Sequence, residues 1–318
     1  MTSYLARRFA VTICSVLVAT LLAFVLMRLV PGEPARIVLT RVFGQDQTIA
    51  VSQGDVDAVA RRFGLDAPLI VQYGRWIGGV LRGDFGNSIR TGRPVATELR
   101  WRLSATALLA ALSTLCSLVL AFLLVASVWL SRQSWTRHVA EVVAVGSIAI
   151  PAFYLGVALI ILLSLWLDLL PVSGFQSWAH VVLPVCVLAL GQFGFNIAIL
   201  LGLLDEVYAA PYILTARAKG LTTRQVLVHH ALRNALVPFI PYLALEIAFL
   251  VGGVLVVERL FGVPGIGSYL LESLDTHDIP AFLGTVGVIA GMVALCNFSA
   301  DILVALLDPR VRLAGEQI

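Results

Sequence analysis

The chain has little charge for its length. Of its 318 residues only 13% are Asp, Glu, Lys or Arg, whereas 59% are hydrophobic, and the mean hydropathy is +0.93. A soluble domain carries about 25% charged residues, so this chain could not cover a water-facing surface of normal size. Its net charge of +3 also excludes a disordered chain and a nucleic-acid-binding protein with a basic face. The composition predicts an integral membrane protein.

Several motifs of enzymes and cofactor-binding proteins are missing. The single lysine, Lys219, precedes glycine, so the chain has no Walker A sequence and is expected to bind no nucleotide through a P-loop. Neither His-Glu-x-x-His nor Gly-x-Ser-x-Gly occurs. The four cysteines lie in apolar stretches without the spacing of a zinc site. We therefore expect no catalytic residues, no cofactor and no metal site in this chain.

Six apolar stretches are long enough to cross a bilayer core of about 30 Å, which takes about 20 helical residues. The first is too long for the apolar region of a signal peptide, and we interpret it as a retained signal anchor. The sequence thus predicts an all-α membrane protein with six transmembrane helices and a small extracytoplasmic insert between the first and second. The stretches lie near Phe9–Val30, Ser104–Leu130, Val139–Leu167, Val181–Leu204, Ala235–Val257 and Ala281–Leu307.

The distribution of basic residues predicts the orientation, because short cytoplasmic loops are enriched in Lys and Arg. With the N-terminus inside, only Arg259 falls in the short outer loops 168–180 and 258–280. The long segment 31–103 also holds arginines, but segments above about 60 residues translocate largely regardless of charge. The basic residues of the cytoplasmic segments are Arg7, Arg8, Arg132, Arg137, Arg217, Lys219, Arg224, Arg233, Arg310 and Arg312.

The predicted organisation has four parts. Residues 1–30 form the cytoplasmic N-terminus and first transmembrane helix, and 31–103 form the extracytoplasmic insert. Residues 104–307 form a five-helix core that includes a cytoplasmic loop, 205–234, and 308–318 form a cytoplasmic tail. Within the insert, Pro68–Leu81 places apolar side chains at helical spacing and predicts an amphipathic helix. The protein is expected in the cell's inner (plasma) membrane with both termini in the cytoplasm.

The loop 205–234 is predicted to contain two short helices. Pro211 suits the first turn of the first helix, and Gly220 suits its end. Thr222, followed three residues later by Gln225, has the pattern of a capping box. A helix, a tight glycine turn and a second helix should follow one another. By itself, this pattern also fits a solvated connection between two spans.

The loop resembles that of a known family. TARAKGL (215–221) followed by HHALRNALVP (229–238) resembles the EAA loop of ABC-importer permeases. More narrowly, the chain is similar to the first-permease branch of the dipeptide/oligopeptide/nickel family. Further matches follow in the family's order along nearly the whole chain: Pro31-Gly32-Glu33-Pro34, RFGLDAPL (62–69), RGDFGNS (82–88), Ser147 with Pro151 and Phe153, PGIG (264–267) and LLDPRVR (306–312).

The resemblance implies a permease subunit of an ATP-binding-cassette importer. With a second homologous permease it would form the alternating-access path for di- or oligopeptides delivered by an extracytoplasmic solute-binding protein. Two ATPase subunits would hold ATP and Mg, and the loop would dock its coupling helix in an ATPase groove. Membrane lipid is an expected partner and nucleic acid is not. The coupling residues implied by the motif are Tyr212, Thr215, Ala216, Arg217, Ala218, Lys219, Gly220, Leu221, His230 and Arg233.

Some residues depart from the family's pattern. Pro211 stands where an acidic residue is usual, and Ala198 and Leu201 stand where arginines are common. Glu246 replaces a Gln or similar polar residue in the middle of the fifth span. A charge there costs at least a few kcal/mol, so Glu246 should face either the translocation path or a buried hydrogen-bonding partner.

The candidates for the translocation path are Glu246, Asn196 and Asp301, and for Asp301 a structural role is favoured. Other functions stay open at this stage. A permease for nickel or a metal chelate belongs to the same family. A stand-alone secondary transporter would instead show inverted repeats and clustered intramembrane carboxylates, and the sequence shows no repeat. An integral membrane enzyme would need a catalytic constellation at one membrane depth, and none occurs.

Gly220 provides a first test. We expect Gly220→Glu to leave the protein inserted in the membrane but to stop transport, because a side chain disfavours the positive-φ turn that ends the first loop helix. Membrane content and solute uptake would be measured together. Normal uptake by the variant would contradict the assignment of this loop to coupling.

Overall fold

The computed structural model describes residues 2–29, 39, 53–62, 64, 66–131 and 133–307. Within these ranges the chain is helical, and its only β-type pairing is an isolated bridge between Asn87 and Pro94. The motif Pro31–Pro34, two residues of RFGLDAPL and the predicted tail 308–318 lie outside the described residues.

The helices of the described residues are numbered here in chain order. α6 continues as a π-helix over Ile160–Trp166, and a second π-helix, Val226–Ala231, joins α9 to α10. The bounds are α1 Thr2–Leu29, α2 Gln53–Arg62, α3 Leu69–Val80, α4 Val95–Leu130, α5 Trp135–Ala149, α6 Ala152–Leu159, α7 Trp178–Ala209, α8 Pro211–Ala218, α9 Thr223–Gln225, α10 Leu232–Phe261, α11 Ile266–Asp275 and α12 Ile279–Leu307.

The all-α membrane fold is confirmed. Among the residues that the structure describes, five helical stretches are long and apolar enough to cross a membrane, and two further helix pairs pass the same test but are sharply bent. The amphipathic helix predicted in the insert is α3. The five stretches are Arg7–Leu29, Val95–Leu130, Trp178–Ala209, Thr223–Leu250 and Ile279–Val304.

The third predicted span, 139–167, is wrong as a single helix. α5 and the helical stretch Ala152–Trp166 meet at an angle of 94°. Pro151 lacks the amide hydrogen that would continue the ladder, and Ile150 before it has φ −90° and ψ 115°. The residue before a proline avoids the helical region for steric reasons, so the break follows from the sequence at this one position.

Two other predicted elements are longer or more helical than expected. The helix that contains the second predicted span begins at Val95, before Ser104, and its 36 residues are about 54 Å long at 1.5 Å per residue. That exceeds the thickness of a bilayer core, so the polar first turns of α4 extend beyond it. The predicted outer loop 258–280 contains the end of α10 and all of α11, with an 82° bend between Gly252–Phe261 and Ile266–Asp275.

The chain divides into two compact units, and α1, α4 and α12 contribute residues to both. The first unit contains residues 107–263 with the parts of α1 and α12 at residues 2–8 and 295–307. Its core is formed by apolar side chains of α4, α5, α7 and α10 and of the π-helix before α10. The fully buried members are Ala121, Val125, Ala140, Ile197, Leu200, Leu204, Leu227, Ala231, Ala235 and Phe239.

The second unit contains the described residues of 9–106 and 264–294. Val95 and Leu99 of α4 pack with Tyr269 of α11 and Ala281 of α12. Charged side chains surround this contact: Arg102 forms an ion pair with Glu272 at 3.1 Å, and its guanidinium lies 4.3 Å from the centre of the Tyr269 ring. Polar groups of the predicted insert are therefore fixed by partners within the same unit.

In the first unit, α5 approaches α7 closely at Gly194. A Cβ atom on Gly194 would lie 2.4 Å from the backbone oxygen of Ala144. Small residues allow such close packing of membrane helices, which depends on van der Waals contact because lipid is as apolar as the side chains. At the end of the same helix pair, Arg137 donates two hydrogen bonds to Asp205, at 2.8 and 2.6 Å.

This contact predicts that Gly194→Ala will destabilise the protein. The methyl group cannot fit without a backbone shift, and overpacking of this kind costs about 1–3 kcal/mol. We expect a clearly lower thermal unfolding midpoint in detergent. Gly202→Ala is the matched control, because Gly202 lies in the same helix with nothing within 4 Å of the added atom. Equal midpoints for the two variants would contradict the tight contact.

Candidate functional site

The segment between α7 and α10 forms a capped hairpin, here called the hairpin and comprising residues 210–225. Its helix α8 begins at Pro211, where the missing amide hydrogen has no intrahelical role. It ends in a Schellman motif: Gly220 N donates to Arg217 O at 2.9 Å, and Leu221 N donates to Ala216 O at 3.4 Å. Gly220 has φ +80°, so the predicted glycine turn is confirmed.

The predicted capping box is also confirmed. Thr222 N donates to Gln225 Oε1 at 2.9 Å, and Gln225 N donates to Thr222 Oγ1 at 3.4 Å. These two bonds satisfy amide hydrogens that the first turn of a helix leaves without partners. The end of α8 and the start of α9 are therefore both fixed by hydrogen bonds, only a few residues apart.

Helices occupy most of the predicted loop 205–234. α7 extends to Ala209, and helical structure resumes at Thr223 and runs through the second π-helix to Phe261. Only the hairpin separates the two long helices. The predicted second loop helix is thus the beginning of the next membrane helix, because no proline or glycine interrupts the sequence between Thr223 and Leu236.

The hairpin has a buried face and an exposed face. Ile213, Ala216 and Val226 are buried together, with Leu221 packed against them. Ala216 and Leu221 therefore support the hairpin from inside, although the family motif suggested them as contacts. Leu214, which the motif did not include, is 63% exposed, and Tyr212 is 42% exposed. The other residues of the family motif that are exposed in the hairpin are Thr215, Arg217, Ala218, Lys219 and Gly220.

An aromatic stack connects the hairpin to the long helices. The Arg217 guanidinium lies 5.4 Å from the centre of the Tyr208 ring near the end of α7. Tyr208 in turn stacks on Trp129 near the end of α4, with ring centres 4.0 Å apart and planes 7° apart. A cation over an aromatic face is attracted by the ring's quadrupole. The hairpin is therefore fixed to two membrane helices by a contact that burial alone would not provide.

His230 and Arg233 lie beyond the hairpin. His230 is half-buried in the second π-helix, and its carbonyl accepts a hydrogen bond from Asn234 Nδ2 at 2.7 Å. Arg233 is exposed on the first turn of α10. Both remain predictions as coupling residues.

Polar side chains from α4, α7 and α10 meet inside the first unit. Asn196 Nδ2 donates to Ser117 Oγ and to Glu246 Oε1, both at 2.9 Å. One helical turn away, Gln192 Nε2 donates to Ser113 Oγ at 3.2 Å. This polar cluster joins two of the sequence's path candidates, Glu246 and Asn196, through a direct hydrogen bond.

Glu246 also lines a cavity of about 450 Å³, here called the Glu246 cavity. The Tyr242 hydroxyl donates to Glu246 Oε1 at 3.5 Å, whereas Glu246 Oε2 has no hydrogen-bond partner among the described residues. Burying a polar oxygen without a partner is costly. Of the two roles considered for Glu246, the bond to Asn196 fits a buried hydrogen-bonding partner, and the role in the translocation path stays a prediction.

Asp301 is not part of this cluster. It forms an ion pair with Arg8 at 3.3 Å, and both side chains are partly exposed. The pairing agrees with the structural role favoured from the sequence. The third path candidate is thereby separated from the other two.

Ile213 allows a test of the hairpin's packing. Ile213→Ala removes buried methylene groups, a change that costs about 2–5 kcal/mol in a well-packed site, and we expect faster protease cleavage within the hairpin. The neighbouring Leu214→Ala is the control, because Leu214 is mostly exposed and its truncation should leave the cleavage rate unchanged. The protein in detergent would be digested briefly and the cut sites identified by mass spectrometry. Unchanged cleavage of the Ile213 variant would contradict the packing.

Comparison with known proteins assigns this architecture to a family. The family of binding-protein-dependent transport system inner membrane components matches residues 113–313, and its N-terminal companion matches residues 1–110. The glutathione transport system permease protein GsiC of Salmonella paratyphi A (strain ATCC 9150 / SARB42) is 34% identical over 317 residues, covering 98% of this chain and 99% of the relative. GsiC of Escherichia coli (strain K12) is 32% identical over 314 residues, with the same coverage.

These matches confirm the resemblance read from the motifs, and they cover both the hairpin and the polar cluster. The chain belongs to the binding-protein-dependent transport system inner membrane component family, and it is a multi-pass inner-membrane permease component of an ABC importer.

Proposed function

We propose that this permease component couples ATP hydrolysis in a partner ATPase to solute movement through the hairpin. The observation that carries the proposal is the hairpin itself, which has a packed apolar interior, capped helix ends and large exposed side chains. Its ends are fixed by the Schellman motif and the capping box. Its exposed face presents Tyr212 and Leu214, large side chains of the kind that fill a pocket on a partner.

The hairpin is suited to transmit a displacement. It is tied to α7 and α4 by the stack of Arg217, Tyr208 and Trp129. At its other end it continues through α9 and the second π-helix into α10 without a loop. A partner that moves the hairpin therefore moves three long helices, which a flexible connection could not do.

The assembly we propose follows from the family. A second homologous permease would complete the path, two ATPase subunits would carry ATP and Mg, and an extracytoplasmic solute-binding protein would deliver the cargo. The hairpin must then face the cytoplasm. Both chain termini are proposed to lie on that side too, as the distribution of basic residues predicts.

Short peptides are the proposed cargo class. The relatives are named for the transport of glutathione, which is itself a tripeptide. A nickel or metal-chelate cargo is not favoured by these relatives. A stand-alone secondary transporter is not favoured either, since the family works with a binding protein.

Co-purification tests the proposal. The tagged protein would be extracted from its host in mild detergent, the partners identified by mass spectrometry, and ATP hydrolysis measured with the solute-binding protein. We expect an ATPase and a second permease. The double variant Tyr212→Ala, Leu214→Ala should co-purify with much less of the ATPase subunit, because it lacks the large exposed side chains that are proposed to contact that subunit.

Trp166→Ala is the matched control for this experiment. Trp166 is a large apolar side chain that is even more exposed, at 77%, but it lies at the end of the first π-helix, far along the chain from the hairpin. We expect the control to retain the ATPase. Isolation of the chain without any ATPase, or full retention by the double variant, would contradict the proposed coupling.

A further inference from the structure

The Glu246 cavity has the properties of a binding site for a cation. It is walled mainly by apolar and aromatic side chains of α7 and α10, including Phe195, Leu245 and Phe249. Glu246 is the one acid in this wall, and none of the residues that line the cavity is Lys, Arg or His. A carboxylate in such surroundings is costly unless it takes up a proton or an opposite charge accompanies it.

The hydrogen bonds of Glu246 leave one acceptor for a ligand. Oε1 accepts from Asn196 Nδ2 at 2.9 Å and from the Tyr242 hydroxyl at 3.5 Å, which fixes the orientation of the carboxyl group. Oε2 has no partner among the described residues, although the Glu246 side chain is buried and only 8% of the residue is exposed. An ammonium group is a donor without acceptor capacity, and it would satisfy this oxygen.

The aromatic wall favours the same ligand. Tyr242, Phe195 and Phe249 line the cavity together with Glu246. Phe195 and Phe249 are exposed, and the face of an aromatic ring attracts cations at exposed sites as well. The volume of about 450 Å³ falls in the range of pockets for small organic ligands, about 300–1,000 Å³. The cavity therefore accommodates an ammonium together with an adjoining apolar group.

We propose that the Glu246 cavity binds the protonated amino terminus of a short peptide cargo, with Glu246 Oε2 as the acceptor. Asn196 is a positioning residue, because it holds the other carboxylate oxygen and is itself held by Ser117. This inference rests on the proposed peptide cargo and adds the chemical group that the permease recognises: peptides with a free amino terminus are bound and those with a blocked one are not.

The test measures occupancy of the cavity directly. Gly253 lines the cavity and has open space around an added Cβ, so Gly253→Cys introduces a thiol there once the four native cysteines are replaced by serine. The assembled complex would be labelled with a maleimide in the presence of trialanine or N-acetyltrialanine. We expect protection by trialanine alone, and loss of that protection in Glu246→Gln.

Uptake into proteoliposomes supplies the second measurement. Glu246→Gln should slow trialanine uptake by about tenfold or more, the loss expected for one charge-assisted hydrogen bond, with ATPase subunits still bound. Glu141→Gln is the control, because Glu141 is exposed and paired with Arg137 on α5; its uptake should equal that of the wild type.

The two proposals fail in different ways. If the wild-type complex transports neither trialanine nor glutathione, the peptide cargo is wrong and this inference falls with it. If the wild-type complex transports trialanine but both peptides protect the thiol equally, or neither does, only the role of Glu246 is overturned. Equal trialanine uptake by the wild type and Glu246→Gln would overturn it as well.

Discussion

Lipid provides no hydrogen-bonding partners, and this constraint governs where polar side chains can lie in the protein. Polar residues of three long helices turn toward each other in the first unit, where Asn196 bridges Ser117 and Glu246. Where the bonding is complete, as at Gln192 with Thr114 and Ser113, the helices are held in register. Where it is incomplete, at Glu246 Oε2, a buried polar atom has no hydrogen-bond partner among the described residues.

Local rules made the hairpin predictable from the sequence. A few residues determine where α8 begins, where it turns and where α9 begins, because each acts on neighbouring backbone groups. These residues are Pro211, Gly220, Thr222 and Gln225. The break before Pro151 has an equally local cause. It was missed because the residues on both sides are apolar, and the length of an apolar stretch does not show whether its helix is bent. The second loop helix was predicted from its cap, but its continuation through the second π-helix into α10 was not.

The contacts between distant segments could not be predicted in the same way. Nothing in the sequence around Gly194 distinguishes it from Gly202, although one lies against the backbone of α5 and the other has open space. The pairing of Asp301 with Arg8 joins the two ends of the described chain, and the exposure of Leu214 depends on which face of α8 packs inward. Glu246 was conspicuous as a carboxyl in an apolar stretch, but its bonding to Asn196 required the packing of α7 against α10.

The hairpin and the Glu246 cavity lie on one helical run. From Gln225 to Glu246 the backbone is helical throughout, a length of about 30 Å at 1.5 Å per residue. A straight rod would carry any displacement of the hairpin to the cavity unchanged. This run contains a π-helix at Val226–Ala231 and two prolines, Pro238 and Pro241, and these are the features at which helices bend. The run that joins the hairpin to the Glu246 cavity therefore contains residue types at which helices bend, and they lie between the proposed docking site and the proposed binding site.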